Sequence, residues 1–273
     1  MRRTPLAVAA AALLFVAFVA WLFPADDVAR RVLAGVPSPV VTFERAALRP
    51  RGIRLDRVAI AIPEASVTLH ADRAWARPSV WSLVRGGGGL PWRIEAAICG
   101  GDVDATVAAD DAPAATAVSI VFERAELASC PPLAIAGGAL AGRAQGTARL
   151  RVVPGVAPEG EGTVEVRGAT WRNPGDLPLL GTLHAETASV RWRLQDGLLV
   201  LDGIALAGPE LSATGSGEVR FAAPIPESAV TLRLALTPGP RETGFLQLVL
   251  PPAAGTRSLT VAGRLGSPQV SLQ

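Results

Sequence analysis

The side chains that could catalyse a reaction are few and widely spaced in this chain of 273 residues. Its two histidines, His70 and His184, each lie in or beside a strand-like segment, which favours surface histidines over catalytic bases or metal ligands. Two cysteines and two histidines this far apart do not have the spacing of a zinc site. We therefore expect no catalytic residue, no metal and no cofactor, and a protein that is not an enzyme.

Motifs for phosphate or nucleic-acid binding are also missing from the sequence. Four consecutive glycines, Gly86–Gly89, are followed by Leu90 and Pro91 rather than by the Lys-Ser or Lys-Thr of a phosphate-binding loop. All 26 basic residues are arginine, which excludes lysine-dependent chemistry. The net charge of +2 and the scattered tryptophans provide no basic, aromatic surface for a nucleic acid.

The two cysteines have an interpretation that requires no catalysis. Cys99 and Cys130 are an even number in a segment that we expect to be exported, which favours a disulfide closing a loop of about 31 residues. Two separate buried thiols are the alternative.

The N-terminal segment predicts a membrane anchor over residues 1–24. An apolar run without charges extends from Pro5 to Phe23, which approaches the ~30 Å needed to cross a bilayer. Two arginines precede the run and two aspartates follow it, so the N-terminus is expected on the inner side. A cleaved signal peptide is the alternative, but its apolar region is shorter and ends in a small-x-small site, where this chain has Phe23.

The region after the anchor is expected to be mainly β. Residues 25–39 predict a short helix and a proline-containing linker, and residues 40–273 predict one antiparallel β domain. Residues 190–236 have the clearest pattern: four antiparallel strands, with Asp196-Gly197 as a tight hairpin turn. Alternation with period two places one set of apolar residues on a common sheet face. This set comprises Leu211, Val219, Phe221, Val230, Leu232 and Leu234.

Irregularities and a faint repeat interrupt this simple pattern. The phase slip between Leu55 and Val58 predicts a bulge, and the region from Trp75 to Trp92 loses period two. Residues 42–48 and 121–127 share the letters Phe-Glu-Arg-Ala, which indicates an elongated sheet that grows by similar hairpins. Coincidence is the alternative for so short a repeat.

These strand and glycine patterns resemble the type II secretion system protein N family and, more widely, the AsmA-like envelope proteins. The resemblance is carried by Glu161–Val166, Leu177–Gly181, Gln195–Gly208 and Leu211–Arg220, by the early segments Val41–Leu48 and Ile53–Ile60, and by the single N-terminal anchor. It implies a transmembrane helix followed by a long curved antiparallel sheet with an apolar concave groove. It offers no catalytic residues to transfer to this chain.

Two functions follow from the resemblance. The first is an accessory, single-pass inner-membrane component of the type II secretion machinery, which contacts other subunits through its periplasmic domain. The second is an AsmA-like protein that binds or transfers lipid, with acyl chains on the apolar face. A third reading of that face is an ordinary core covered by a second layer.

Overall fold

Fifteen β-strands form one antiparallel sheet in the computed structural model. The model describes residues 26–27, 30, 40–50, 52–62, 67–78, 91–110, 115–130, 139–153, 155–172, 182–222, 224, 227–240 and 256–272. The strands are β1 (Val40–Thr42), β2 (Arg45–Arg49), β3 (Gly52–Ile62), β4 (Val67–Pro78), β5 (Trp92–Ile98), β6 (Gly101–Ala109), β7 (Thr116–Glu126), β8 (Ala139–Val152), β9 (Glu159–Arg172), β10 (Thr182–Gln195), β11 (Leu198–Ala207), β12 (Leu211–Arg220), β13 (Ala229–Pro238), β14 (Arg257–Arg264) and β15 (Ser267–Leu272).

The strands follow one another across the sheet in chain order. The path runs from β1 through β3, β4 and each later strand to β15, and β2 pairs with β3 beside β1. The sheet is open, because the two ends of this path do not pair with each other. At about 4.8 Å between neighbouring strands, the path measures roughly 60 Å along the sheet.

The predicted block of four antiparallel strands is confirmed as β10–β13. Its first turn contains Asp196 at φ 51° and Gly197 at φ 72°, and Gln195 lies opposite Leu198. Two consecutive residues with positive φ form the tight turn whose twist matches the strands, as the Asp-Gly pair predicts.

The first strand and the fourth differ from the sequence prediction. The sequence predicts one strand from Val40 to Leu48, because its residues are strand-like up to the turn at Arg49-Pro50. The structure interrupts this strand at Phe43 and Glu44, so that β1 and β2 are separate strands on the same side of β3. Strand β4 continues through Trp75 to Pro78, although the apolar alternation fails there, because β3 and β5 supply hydrogen-bonded neighbours on both sides. Tertiary pairing thus overrides a weak local pattern.

The irregularity predicted in β3 lies at Arg57, which has φ 51°. Leu55 pairs with Ala74 before it, and Val58 pairs with Ala71 after it. The pairing register is therefore the same before and after Arg57. The apolar side chains on both sides of this residue stay on one face of the sheet.

Helical residues contact the first edge of the sheet. Asp26, Asp27 and Arg30 are helical. The carboxylate of Asp26 accepts a hydrogen bond from the backbone N–H of Ala46 in β2, and the guanidinium of Arg30 lies 5.8 Å from the ring centre of Phe43. These contacts cover part of β2, which pairs with β3 on one side and with no described strand on the other.

No helix among the described residues is both long and apolar enough to cross a membrane. The anchor predicted over residues 1–24 lies outside the described residues, as do most of residues 25–39. Residues 79–84, where the sequence is compatible with one helical turn, also lie outside them.

Candidate binding surface on a two-faced sheet

Strand register places apolar side chains in continuous rows across the sheet. Directly opposed residues in an antiparallel pair point to the same face, so a row can be followed from strand to strand. One row crosses thirteen strands without a polar side chain: Ile53, Ala76, Ile94, Ala105, Ile120, Ala148, Gly162, Trp192, Leu201, Gly217, Leu232, Val261 and Val270. We call the side of the sheet that carries this row the apolar face.

A second row runs beside the first on the same face. It comprises Leu55, Ala74, Ala96, Val103, Phe122, Gly146, Val164, Val190, Ile204, Gly215, Leu234, Leu259 and Leu272. The apolar face therefore extends from β3 to β15, well beyond the β12–β13 hairpin from which the sequence predicted it.

Large and small residues alternate across neighbouring strands of the apolar face. The ring of Trp192 lies over Gly162, where an added Cβ would clash with it, and Leu232 covers Gly217 in the same way. Such pairs shield one another, and most side chains of the face are half-buried. The fully buried apolar side chains among the described residues are alanine or valine, such as Ala74 and Val58, except for Leu236.

Five of the six residues predicted for the apolar face lie on it. Val219 pairs with Val230, and Leu232 and Leu234 face Gly217 and Gly215. Leu211 belongs to the same set, opposite Pro238. Phe221 follows the last residue of β12, Arg220, so no strand register assigns it to either face, and its side chain is 44% exposed.

The opposite side of the sheet, here called the polar face, carries cross-strand ion pairs. Nε of Arg93 in β5 lies 2.8 Å from Oδ2 of Asp104 in β6, and 3.3 Å from Oε1 of Glu95. The hydrogen bonds to Asp104 raise the pKa of the Arg93 guanidinium. Farther along the sheet, Arg193 pairs with Asp202 at 2.7 Å.

Glu165 in β9, on the polar face, has a lowered pKa. It accepts hydrogen bonds from Nε of Arg167 at 2.7 Å and from Nε2 of Gln145 at 3.0 Å. Both donors favour the charged form, so the pKa of Glu165 is lowered, chiefly by Arg167.

A cleft of about 940 Å³ on the polar face contains charges of both signs. Its lining includes Arg73, Trp75, Arg93, Glu95 and Asp104. Arg93 binds Asp104, and Arg77 binds Glu95, so these carboxylates already have cationic partners. Within the described residues, no three potential metal ligands lie together.

His184 contacts a buried glutamate that the sequence analysis missed. Glu210, in the β11–β12 turn, is only 8% exposed. Its carboxylate accepts the backbone N–H of His184 at 3.2 Å and lies 3.1 Å from the ring Nδ1. Burial of Glu210 could not be predicted from the residues around it in the sequence. It depends on contacts with His184 in β10, a strand that lies beside this turn only in the folded sheet. His70 is exposed in β4.

Cys99 and Cys130 form a disulfide, with their Cα atoms 4.9 Å apart. Cys99 has φ 52° and forms the β5–β6 turn with Gly100, while Cys130 follows a 3-10 turn at Leu127–Ser129. The backbone N–H of Glu126 also bonds to the carbonyl of Cys99 at 2.8 Å. The bridge therefore joins the β5–β6 turn to the segment after β7.

No family model matches the chain, and neither the curated proteins nor the solved structures include a significantly similar one.

Proposed function

We propose that this protein is a non-catalytic, accessory component of the type II secretion machinery that acts by binding other subunits through its sheet. The observation that carries the proposal is the separation of the sheet into an apolar and a polar face over its whole length. A long sheet with two chemically different faces presents a large surface for contact, and Asp104 and Glu95 in the polar-face cleft already have arginine partners.

The segments that resemble the type II secretion protein N family support the proposal. Gln195–Gly208 and Leu211–Arg220 form the consecutive strands β11 and β12, whose turn holds Glu210. These two segments thus fall on one hairpin with a defined register, while Leu177–Gly181 lies outside the described residues.

A deletion strain tests the proposal. We expect secreted proteins to accumulate in the periplasm, and a plasmid copy of the gene to restore their export. Val156→Ala, 58% exposed in the β8–β9 connection and outside the strands, is a control that should also restore export. Normal secretion in the deletion strain would contradict the proposal.

Placement in the inner membrane, with the sheet in the periplasm, is part of this proposal. It rests on the uncharged run at residues 5–23 and the arginines before it. Mass spectrometry of the purified protein should find this segment intact. A mature N-terminus near Asp26 would show cleavage instead.

A second candidate, binding of lipid acyl chains, is favoured by the uninterrupted apolar rows. Acyl chains need a dry, continuous surface, and the row from Ile53 to Val270 contains no polar side chain. Native mass spectrometry of protein extracted from membranes should then detect bound lipid. Leu232→Gln on the apolar face should reduce it, and Thr231→Gln, exposed on the polar face of the same strand, should not.

The deletion strain separates the two candidates. Loss of a lipid carrier predicts normal secretion with a leaky, detergent-sensitive outer membrane, whereas loss of a secretion component predicts retained cargo.

A further inference from the structure

Arg257 is the one charged residue that the pairing of the described strands places on the apolar face. It begins β14 and lies opposite Leu236 of β13. Two residues later Leu259 lies opposite Leu234, in the second apolar row. A charged group within an apolar surface is informative, because burial normally selects against it.

Leucine side chains surround this arginine. Leu236 is 7% exposed and packs with Ala213, and the half-buried leucines packed against these two are Leu183, Leu206, Leu211, Leu234, Leu259 and Leu272. We call these eight residues the leucine cluster. Arg257 is half-buried at its border. The aliphatic stem of an arginine can pack on such a surface, whereas its guanidinium requires water or an acceptor.

The guanidinium of Arg257 is not satisfied within the described part of the chain. Its Nε is buried and donates no hydrogen bond. It also takes no part in the ion pairs between described residues, whereas Arg264, at the other end of β14, lies 2.6 Å from Glu227. A buried donor without an acceptor is unfavourable, and more so when the group is charged. A bound molecule that brings an oxyanion to this place removes the penalty.

We propose that the leucine cluster and Arg257 form a docking site for a segment of another protein in which apolar side chains flank an aspartate or a glutamate. The apolar side chains cover the leucines, and the carboxylate accepts hydrogen bonds from Nε and Nη of Arg257. An arginine beside an apolar centre is a common composition for the residues that dominate protein interfaces.

The position of the charge favours a protein over an acyl chain as the occupant. The apolar rows offer an acyl chain equivalent contacts on many strands, whereas a single guanidinium marks one place on the face. A partner with a fixed position requires such a mark, since charge complementarity sets register and excludes wrong partners. The inference rests on the proposed function, in which the sheet binds other subunits, and it names the place and the chemistry of that contact.

Photo-cross-linking of the full-length chain in cells tests the site. The photoreactive residue p-benzoylphenylalanine is introduced at Leu259, on the apolar face, or at Ser258, which is exposed on the polar face of the same strand. We expect a cross-linked protein from position 259 and none from position 258. Absence of a cross-linked protein at position 259 would overturn the proposal, and so would a cross-link to lipid alone, which would make an acyl chain the occupant.

Removal of the charge tests the role of Arg257. Arg257→Met should reduce the cross-link at position 259 roughly tenfold, because a charge-assisted hydrogen bond is lost. Arg264→Met, on the same strand but ion-paired with Glu227, should leave the cross-link unchanged. Arg257→Met should also unfold at the same temperature as wild type or higher, since an apolar side chain replaces an unsatisfied charge. A lower unfolding temperature would give Arg257 a structural role and overturn the proposal.

The cross-linked peptide identifies the partner's acid, and a charge exchange tests it. Arg257→Glu should abolish the cross-link, as should replacement of the partner's acid by arginine, and the two changes together should restore it. A peptide without an acid, or an exchange that restores nothing, would overturn the proposal. Retained cargo in the deletion strain without a cross-link at position 259 would reject this inference and leave the proposed function standing. An exchangeable cross-link with normal secretion would do the reverse.

Discussion

Glu210 is a charged side chain that the fold has buried beside His184, at the turn between β11 and β12. Glu210→Ala removes the acceptor of the His184 backbone N–H, and we expect a loss of about 1–3 kcal/mol in the free energy of unfolding. Urea unfolding followed by circular dichroism measures it. Glu186→Ala, exposed on β10, is the control and should change stability by less than about 0.5 kcal/mol. Equal stability of the two variants would mean that the Glu210 contacts contribute nothing.

Glu165 predicts a small pH dependence on the polar face. Hydrogen bonds from Arg167 and Gln145 lower its pKa in the folded chain. A carboxylate of this kind stabilises the fold above its unfolded pKa of about 4.3, and the contribution is lost as the pH falls through the lower folded value. NMR titration should find the Glu165 midpoint below that of an unstructured glutamate. In Arg167→Met the midpoint should rise, and an unchanged midpoint would assign the shift to another cause.

Strand β12 allows a direct comparison of the two sheet faces. Val219 is 9% exposed on the apolar face, and its neighbour Glu218 is exposed on the other. Val219→Asp places an unpaired charge in an apolar site, which costs several kcal/mol, so this variant should unfold. Glu218→Lys should stay within about 0.5 kcal/mol of wild type in thermal unfolding. Equal tolerance of both changes would contradict the assignment of the faces.

The Cys99–Cys130 bridge stabilises the β5–β7 region by limiting its unfolded conformations. The cysteines are 31 residues apart, for which the chain-entropy estimate is about 3–4 kcal/mol. The double variant Cys99→Ser and Cys130→Ser should lose stability of this size, with proteolysis increasing first near Leu127–Ser129. Unchanged protease resistance would show that the turn hydrogen bond between Glu126 and Cys99 is sufficient.

Period-two patterns allowed β10–β13 to be predicted, because polar and apolar residues alternate clearly in β12 and β13 and Asp196-Gly197 fixes the turn between β10 and β11. The extent of the apolar face could not be read in the same way, since it depends on register between strands. Ala76, Ala105 and Ala148 are too small and too common to indicate a face individually.

The repeated letters Phe-Glu-Arg-Ala mark strand irregularities rather than two similar hairpins. In the first copy, Phe43 precedes Ala46 across the break between β1 and β2, and the two side chains pack together. In the second copy, the register of β7 shifts between Phe122 and Ala125, next to Arg124 at φ 58°. A spacing of three keeps both apolar residues on one face only when the strand is irregular.

Contacts within the described part of the sheet are mostly between strands that are neighbours in it. Strands pack mainly against their immediate neighbours, so stability should be local, as in repeat proteins. Val219→Ala should speed hydrogen exchange in β11–β13 and leave β4–β6 unchanged, as measured by mass spectrometry of peptides. A uniform increase across all strands would show a single cooperative unit instead.

The order of strands has a consequence for how the chain folds while it is synthesised. From β4 onward, every strand pairs with the strand before it, so its partner has already emerged when it leaves the ribosome. Sequence-local pairing of this kind lowers the loop-closure entropy that slows most β proteins. The growing edge then templates each new hairpin, and a pause in synthesis leaves one unpaired strand rather than an unfolded domain.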